Sequence, residues 1–251
     1  LGTSAITASA FTHTGSGAVT HTDLNSNTLA TYTTGGGNDN ISVVGTNGDL
    51  TLSTGAGNDN IIWEVTTTTA KSYTINGGDG ADTFVIDGAA AGGDLDLSTG
   101  TSTITLAGIE TIMFNTDDTN NALPVTLKAG LLNGAGLILD QQDTNDTLTL
   151  TLALGTITNL DLSSVTVNTD NLTGADIISV TQGTAAAATT MLGTNGMKMT
   201  FAGNSGADNL TGADQIDTLT GNGGADIISG LGGADIISGN AGADTITGGA
   251  G

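Results

Sequence analysis

The clearest chemical spacing in this 251-residue chain belongs to five aspartates, Asp208, Asp217, Asp226, Asp235 and Asp244, set nine residues apart. Two places after each comes an apolar residue, in turn Leu210, Leu219, Ile228, Ile237 and Ile246. Acid and apolar residue share one period, and a fixed short period marks stacked structural repeats. Stacking brings the carboxylates together. Two bare carboxylates about 5 Å apart repel by roughly 0.8 kcal/mol even in water, and by more where water is partly excluded, so the column calls for a cation. Zinc prefers nitrogen and sulfur ligands that these repeats do not contain. Magnesium requires a small, strict octahedron, whereas calcium takes about six to eight oxygens in a flexible shell that accepts backbone carbonyls as readily as carboxylates. Calcium, in several copies, is the expected cofactor.

The elements that must hold these residues follow from the repeat itself, which reads GNSGADNLT, GADQIDTLT, GNGGADIIS, GLGGADIIS, GNAGADTIT and the start of a sixth copy. The Gly-x-x-Gly-x-Asp half has little side chain and ready access to positive φ, so it turns tightly and points carbonyls inward. The remaining residues form a short strand with one apolar side chain facing one way. Such a strand cannot bury its Leu or Ile alone. Two repeats therefore make a flattened coil of eighteen residues, and coils stack at about the 4.8 Å spacing of neighbouring strands. In this parallel β-roll, Asp208, Asp226 and Asp244 line one edge, and Asp217 and Asp235 the other.

The nonapeptides resemble the GGxGxDxUx repeats of RTX (repeats-in-toxin) proteins. The resemblance implies an all-β, right-handed parallel β-roll or solenoid, with calcium between the turns of successive coils and export by type I secretion. It also implies ligands: carbonyls at the second and fourth turn positions and a carboxylate at the sixth. Here those are Asn204, Gly206 and Asp208; Asn222, Gly224 and Asp226; Leu231, Gly233 and Asp235; and Asn240, Gly242 and Asp244. The repeat at 212 departs from the pattern. Gln215 replaces a turn glycine and Asp214 adds an acid, leaving Asp217 as its expected ligand. A looser form begins at Thr34. TGGGNDNIS, TGAGNDNII and NGGDGADTF place Asp39, Asp59 and Asp82 at the acid position, with Ile41, Ile61 and Phe84 inward and Asp49 and Asp94 on return turns. Their spacings of 20 and 23 predict a coil of about eighteen residues with small insertions.

Composition supports a stacked β architecture, with 40 glycines, one proline, 3% aromatics and no amphipathic helical run. A net charge of −22, with three lysines and no arginine, excludes nucleic acid as a partner. All but two of the acids are aspartates, and the bias toward the shorter side chain beside Gly and Asn points to metal-holding turns. Without cysteine there are no disulfides, which leaves calcium to supply the cross-links of an extracellular protein. No apolar run reaches the length of a transmembrane segment. His13 and His21 are read as solvated loop or edge residues.

The chain is expected to divide into a lead-in over 1–33, a degenerate β-roll over 34–115, an irregular β segment over 116–202 that either continues the solenoid or forms a sandwich, and the RTX roll over 203–251. The stop inside a repeat suggests a roll cut short at its C-terminal end. In 116–202, DTLTLTLAL alternates with Leu148, Leu150, Leu152 and Leu154 on one face, and Asp176 echoes the acid of the terminal repeats. Glu110 stands without a partner acid or nucleophile beside it in sequence, which favours a structural or calcium role over catalysis.

No catalytic motif is present, so no enzymatic activity is expected. Segments like GIETI, between roll blocks, are similar to those of RTX surface-layer proteins of the Caulobacter type and of large adhesins. The expected function is therefore a calcium-binding structural protein of the bacterial cell surface. It would be extracellular, partnered by copies of itself in a lattice and by cell-surface polysaccharide. The alternative is a segment of an RTX adhesin, toxin or exoenzyme whose roll serves calcium-triggered folding and secretion. From Gly203 onward the chain is expected to be largely unfolded without calcium.

Overall fold

Alternating apolar and β-branched or polar residues produce short strands along the chain. Thr147–Ala153, TLTLTLA, buries its leucines and half-exposes its threonines in strict alternation. The computed structural model describes residues 10–25, 31–45, 48–64, 72–88, 95–96, 103–116, 122–142, 147–168, 172, 175–181 and 187–251. Among them there is no α-helix, and a 3-10 turn occupies Ala129–Leu131. Asp94 lies outside the described residues. The chain divides into two units, Leu1–Asp118 and Thr119–Gly251.

In the first unit the chain crosses repeatedly between two sheets. One sheet runs in the order Ala10–Thr12, Thr31–Thr33, Leu50–Ala56, Ser72–Asp79 and Thr103–Ala107. The other contains Thr20–Asn25, Asn40–Gly45, Asn60–Trp63, Thr83–Gly88 and Thr111–Thr116 in turn. Neighbours pair in parallel, so equivalent side chains stack: Ile41 on Ile61, Phe84 and Ile112, all buried. Each such aliphatic residue contributes roughly 1.5–3 kcal/mol by burial. Trp63, Tyr73 and Phe84 meet within the same core, with ring centroids 5.0 Å and 6.0 Å from Trp63.

The second unit repeats the plan. Ala122–Lys128, Thr147–Ala153, Ile177–Thr181, Lys198–Ala202, Thr218–Thr220 and Ile236–Ser238 are successive neighbours in one sheet. Asn159–Asp161, Thr190–Leu192, Asn209–Thr211, Ile227–Gly232 and Thr245–Ala250 form another, and Ile138–Gln141 pairs with Thr166–Val167. The strands Ala122–Lys128, Thr147–Ala153, Ile177–Thr181 and Lys198–Ala202 thus pair in parallel with one another and onto Thr218–Thr220. Met191, Met197 and Met199 are buried as core filler.

Coil length varies along the chain. Backbone-to-carboxylate bonds join equivalent turns 20 residues apart at Asp39–Asp59, 23 at Asp59–Asp82 and 28 at Asp82–Glu110. From Asp208 onward the step is 18, the coil of two nonapeptides expected from the sequence. Trp63 lies inward in one of the longer coils, whereas Asn209–Thr211, Thr218–Thr220 and Ile236–Ser238 of the roll are three residues long with one Leu or Ile at the centre. Leu210, Leu219 and Ile228 are buried, while Ile246 in the last strand is 49% exposed.

Candidate calcium-binding turns

Each repeat aspartate ends a turn and opens a strand. Its own carbonyl accepts the first strand N–H of the next coil, as Asp208 does from Ile227 and Asp226 from Thr245, both at 2.8 Å. Its side chain lies inward along the turn edge. Oδ1 accepts the N–H of the equivalent residue one coil earlier: Asp208 N–H donates to Asp226 (2.8 Å), Asp226 to Asp244 (3.0 Å) and Asp217 to Asp235 (3.0 Å). The aspartates therefore form two columns, divided between the edges as the nine-residue period requires. In the first unit Asp39 N–H donates to Asp59 and Asp59 N–H to Asp82, each at 2.8 Å. Asp82 N–H then donates to Glu110 Oε2 at 2.7 Å. Asp39, Asp59, Asp82, Asp208, Asp217 and Asp226 are all buried.

One oxygen of each carboxylate is accounted for by this ladder; the second divides the turns into two kinds. In 203–208 and 212–217 the second-position N–H folds back onto its own aspartate: Asn204 to Asp208 Oδ2 at 2.7 Å and Ala213 to Asp217 Oδ2 at 2.6 Å. In the next two turns the second residue has left-handed backbone, Asn222 at φ 73° and Leu231 at φ 74°, and the fourth, Gly224 and Gly233, is also at positive φ. There Asp226 Oδ2 and Asp235 Oδ2 have no hydrogen-bond partner. Asn240 and Gly242 repeat this conformation before Asp244. So do Gly55 and Gly57 before Asp59, and Gly78 and Gly80 before Asp82. Asp39, Asp59 and Asp82 likewise keep a buried Oδ2 without a partner.

A buried carboxylate oxygen with no donor is costly, by about 1–3 kcal/mol and more for a charged group. Its surroundings are oxygen-rich. A Cβ on Gly221 would run into Asp226 Oδ2 and approach the Gly239 carbonyl, and one on Gly242 would strike the Gly224 carbonyl of the coil before it. The second-position carbonyls of Asn204, Ala213 and Asn222 each accept one N–H from the following coil, at 2.9, 2.9 and 2.8 Å, which leaves a lone pair. Gly224 and Gly242 carbonyls take no part in that ladder. Carboxylate and carbonyl oxygens without nitrogen or sulfur form a hard donor set that fits calcium. Electrostatics agree. Burial pushes the Asp217 carboxyl up to about 6, against the lowering effect of the Met199 and Ala213 N–H groups, and nearby Asp235 and Asp214 raise it further. Asp82 is raised as well, first by burial and then by Asp59, Glu110 and Asp79. At Asp82, whose Oδ2 has no partner, a divalent cation would oppose these causes by favouring the ionised form.

A family model described as the RTX calcium-binding nonapeptide repeat matches residues 74–87, 202–237 and 229–251. These are RTX repeats, and they bind several calcium ions. The matched stretches contain the turns at Asp82, Asp208, Asp217, Asp226, Asp235 and Asp244 described above, of both kinds. No curated protein and no solved structure matches the chain. The turns at Asp39 and Asp59 lie outside the matched residues, yet they share a column with Asp82.

Several side chains sit differently from their sequence reading or were not legible in it. His21 is buried rather than solvated: Nδ1 lies 3.1 Å from the Tyr32 hydroxyl and the ring meets Tyr32 edge-on. Its place in strand Thr20–Asn25 turns it onto the core. Burial, then the charge of Asp39, raises Tyr32 to about 12. Glu110 closes the column begun at Asp39, a role concealed by the 28-residue step. Asp176 accepts the Leu148 N–H at 2.7 Å, as an acid-position residue should. Asp49 is exposed and accepts the Ser72 N–H at 2.9 Å. The hydroxyls of Thr34 and Thr54, which reach the carbonyls of Thr54 and Gly77 in the following coil, had no sequence signal beyond preceding the glycines.

Proposed function

We propose that this chain is a structural segment of a bacterial cell-surface protein, exported by the type I route, in which calcium stiffens a parallel solenoid that packs with copies of itself into a surface layer. The observation that carries the reading is the series of buried aspartate oxygens without partners at Asp39, Asp59, Asp82, Asp226 and Asp235. They form columns through a fold that displays no catalytic constellation among its described residues. Calcium would be held by the acids at the sixth position, including Asp244. The second- and fourth-position carbonyls, Asn222 with Gly224, Leu231 with Gly233 and Asn240 with Gly242, would complete its shell. Cross-linking successive coils within each unit stiffens it, and a stiff unit suits a lattice. Ile227 and Ile236, 56% and 64% exposed on the outward faces of different sheets, are the apolar anchors for contact between copies. Cell-surface polysaccharide is the proposed anchor of the lattice.

Light scattering and electron microscopy of the chain with and without calcium test this reading. Regular assemblies are expected in calcium, dispersed by EGTA and weakened in the Ile227→Thr/Ile236→Thr double variant, whose calcium uptake stays at the wild-type level. A chain that binds calcium yet remains monomeric at every concentration would overturn the surface-layer reading in favour of an adhesin or toxin segment.

A further inference from the structure

The two turns closed by their own backbone are the first of each acidic column in the terminal roll. The residue equivalent to Asp208 one coil earlier is Thr189, whose N–H donates to Asp208 Oδ1 at 2.7 Å. The residue equivalent to Asp217 is Met199, whose N–H donates to Asp217 Oδ1 at 2.7 Å. Neither predecessor is an acid. Asp208 and Asp217 thus have no acid at the equivalent position of the preceding coil, and each has both oxygens satisfied by N–H groups, one from the preceding coil and one from its own turn. Further polar contacts complete these turns. Gly206 N–H donates to Asn204 Oδ1 at 2.6 Å, Asn204 Nδ2 to the Ala187 carbonyl at 2.8 Å, and Gly196 N–H to Asp214 Oδ1 at 2.8 Å. Asp214, the acid that breaks the repeat pattern, thereby fastens its turn to the coil before it.

From Asn222 the conformation changes. Left-handed backbone at the second position replaces the turn found at Asn204 and Ala213, and Asp226, 1% exposed, is left with an oxygen that no N–H reaches. We infer that residues 203–220 are a calcium-independent platform, with backbone N–H groups in the position calcium would otherwise fill, and that the calcium-dependent part of the roll begins at Gly221. This rests on the calcium reading of the turns and moves the onset of calcium dependence eighteen residues beyond the Gly203 expected from the repeat pattern. Leu210 and Leu219 are fully buried, stacked against Met191 and Phe201 of the preceding coils, which ties the platform to the strands before it. The platform is a built edge on which calcium can add coils, so the roll grows outward from a folded surface instead of nucleating unaided.

Hydrogen exchange with mass spectrometry on the full chain, in calcium and after EGTA, reads the boundary peptide by peptide. Chelation is expected to speed exchange at least tenfold in peptides from 221–251 and less than twofold in 203–220, which contain the Asn204 and Ala213 amides. Equal loss of protection in both segments would overturn the platform while leaving the calcium reading intact. No change in either, with no calcium uptake by titration, would overturn the calcium reading and the platform with it.

Discussion

At the scale of single residues, backbone conformation separates one repeat from another more sharply than side-chain identity does. The second turn position is left-handed in 221–226, 230–235 and 239–244, where it holds Asn222, Leu231 and Asn240. Asparagine tolerates that region because its short polar side chain bonds locally, while a leucine there strains against its own backbone by about 1–2 kcal/mol. Leu231 is 49% exposed, so little burial offsets the strain. Leu231→Asn is therefore expected to raise the stability of the calcium-loaded roll by about 1 kcal/mol, measured as a higher thermal midpoint. An unchanged or lower midpoint would mean that the leucine makes a contact worth more than its strain. The sequence marks this position only as the variable second residue of the repeat. Its φ goes with whether its own N–H folds back onto the aspartate four residues on, as in 203–208 and 212–217, which residue type alone does not announce.

At the scale of the element, the turn column is the unit that matters, and its ends differ from its middle. Glu110 ends the column of the first unit with a longer side chain, reaching the Asp82 N–H across a coil of 28 residues. Glu110→Ala leaves that N–H, in a buried residue, without an acceptor, and is expected to cost about 1–3 kcal/mol in urea unfolding. Glu110→Gln, which keeps an acceptor oxygen, should cost less than half as much. Equal losses would show that charge rather than hydrogen bonding is what Glu110 supplies. The eighteen-residue step, the two acid edges and the inward Ile41, Ile61, Phe84, Leu210, Leu219 and Ile228 were all legible, because a strict period forces residues into register. Glu110 was legible only as an acid without a partner. Insertions had lengthened the coil, and the period that would have joined it to Asp82 was lost. His21 was misread for a similar reason: its strand carries an irregular register against Asn40–Gly45, and no alternation in sequence announces its burial.

At the scale of the molecule, a chain of net charge −22 stacks a share of its acids in columns at the turns of each unit. In the terminal roll a single Leu or Ile sits at the inward position of each strand, so apolar burial per coil is modest there and cross-linking between coils carries more of the order. Parallel pairing throughout each unit follows from the repeating plan: every coil presents the same two edges to the next. The plan of 116–202 could not be read from sequence, because TGADIIS at 173–179 is a lone echo of the glycine-aspartate turn, without the period that announces stacking. Pairing of Lys198–Ala202 with Thr218–Thr220 supplies the continuity. Asp226 Oδ2, buried without a hydrogen-bond partner, is the oxygen calcium is proposed to complete. The most direct test is isothermal titration of EGTA-stripped full chain, wild type beside Asp226→Ala. Expected are several calcium ions bound by the wild type, with affinities of about 10⁻⁴ to 10⁻³ M as in extracellular modules, and fewer by the variant. A wild type that takes up no calcium, or an Asp226→Ala chain that binds the same number with the same affinity, would contradict it.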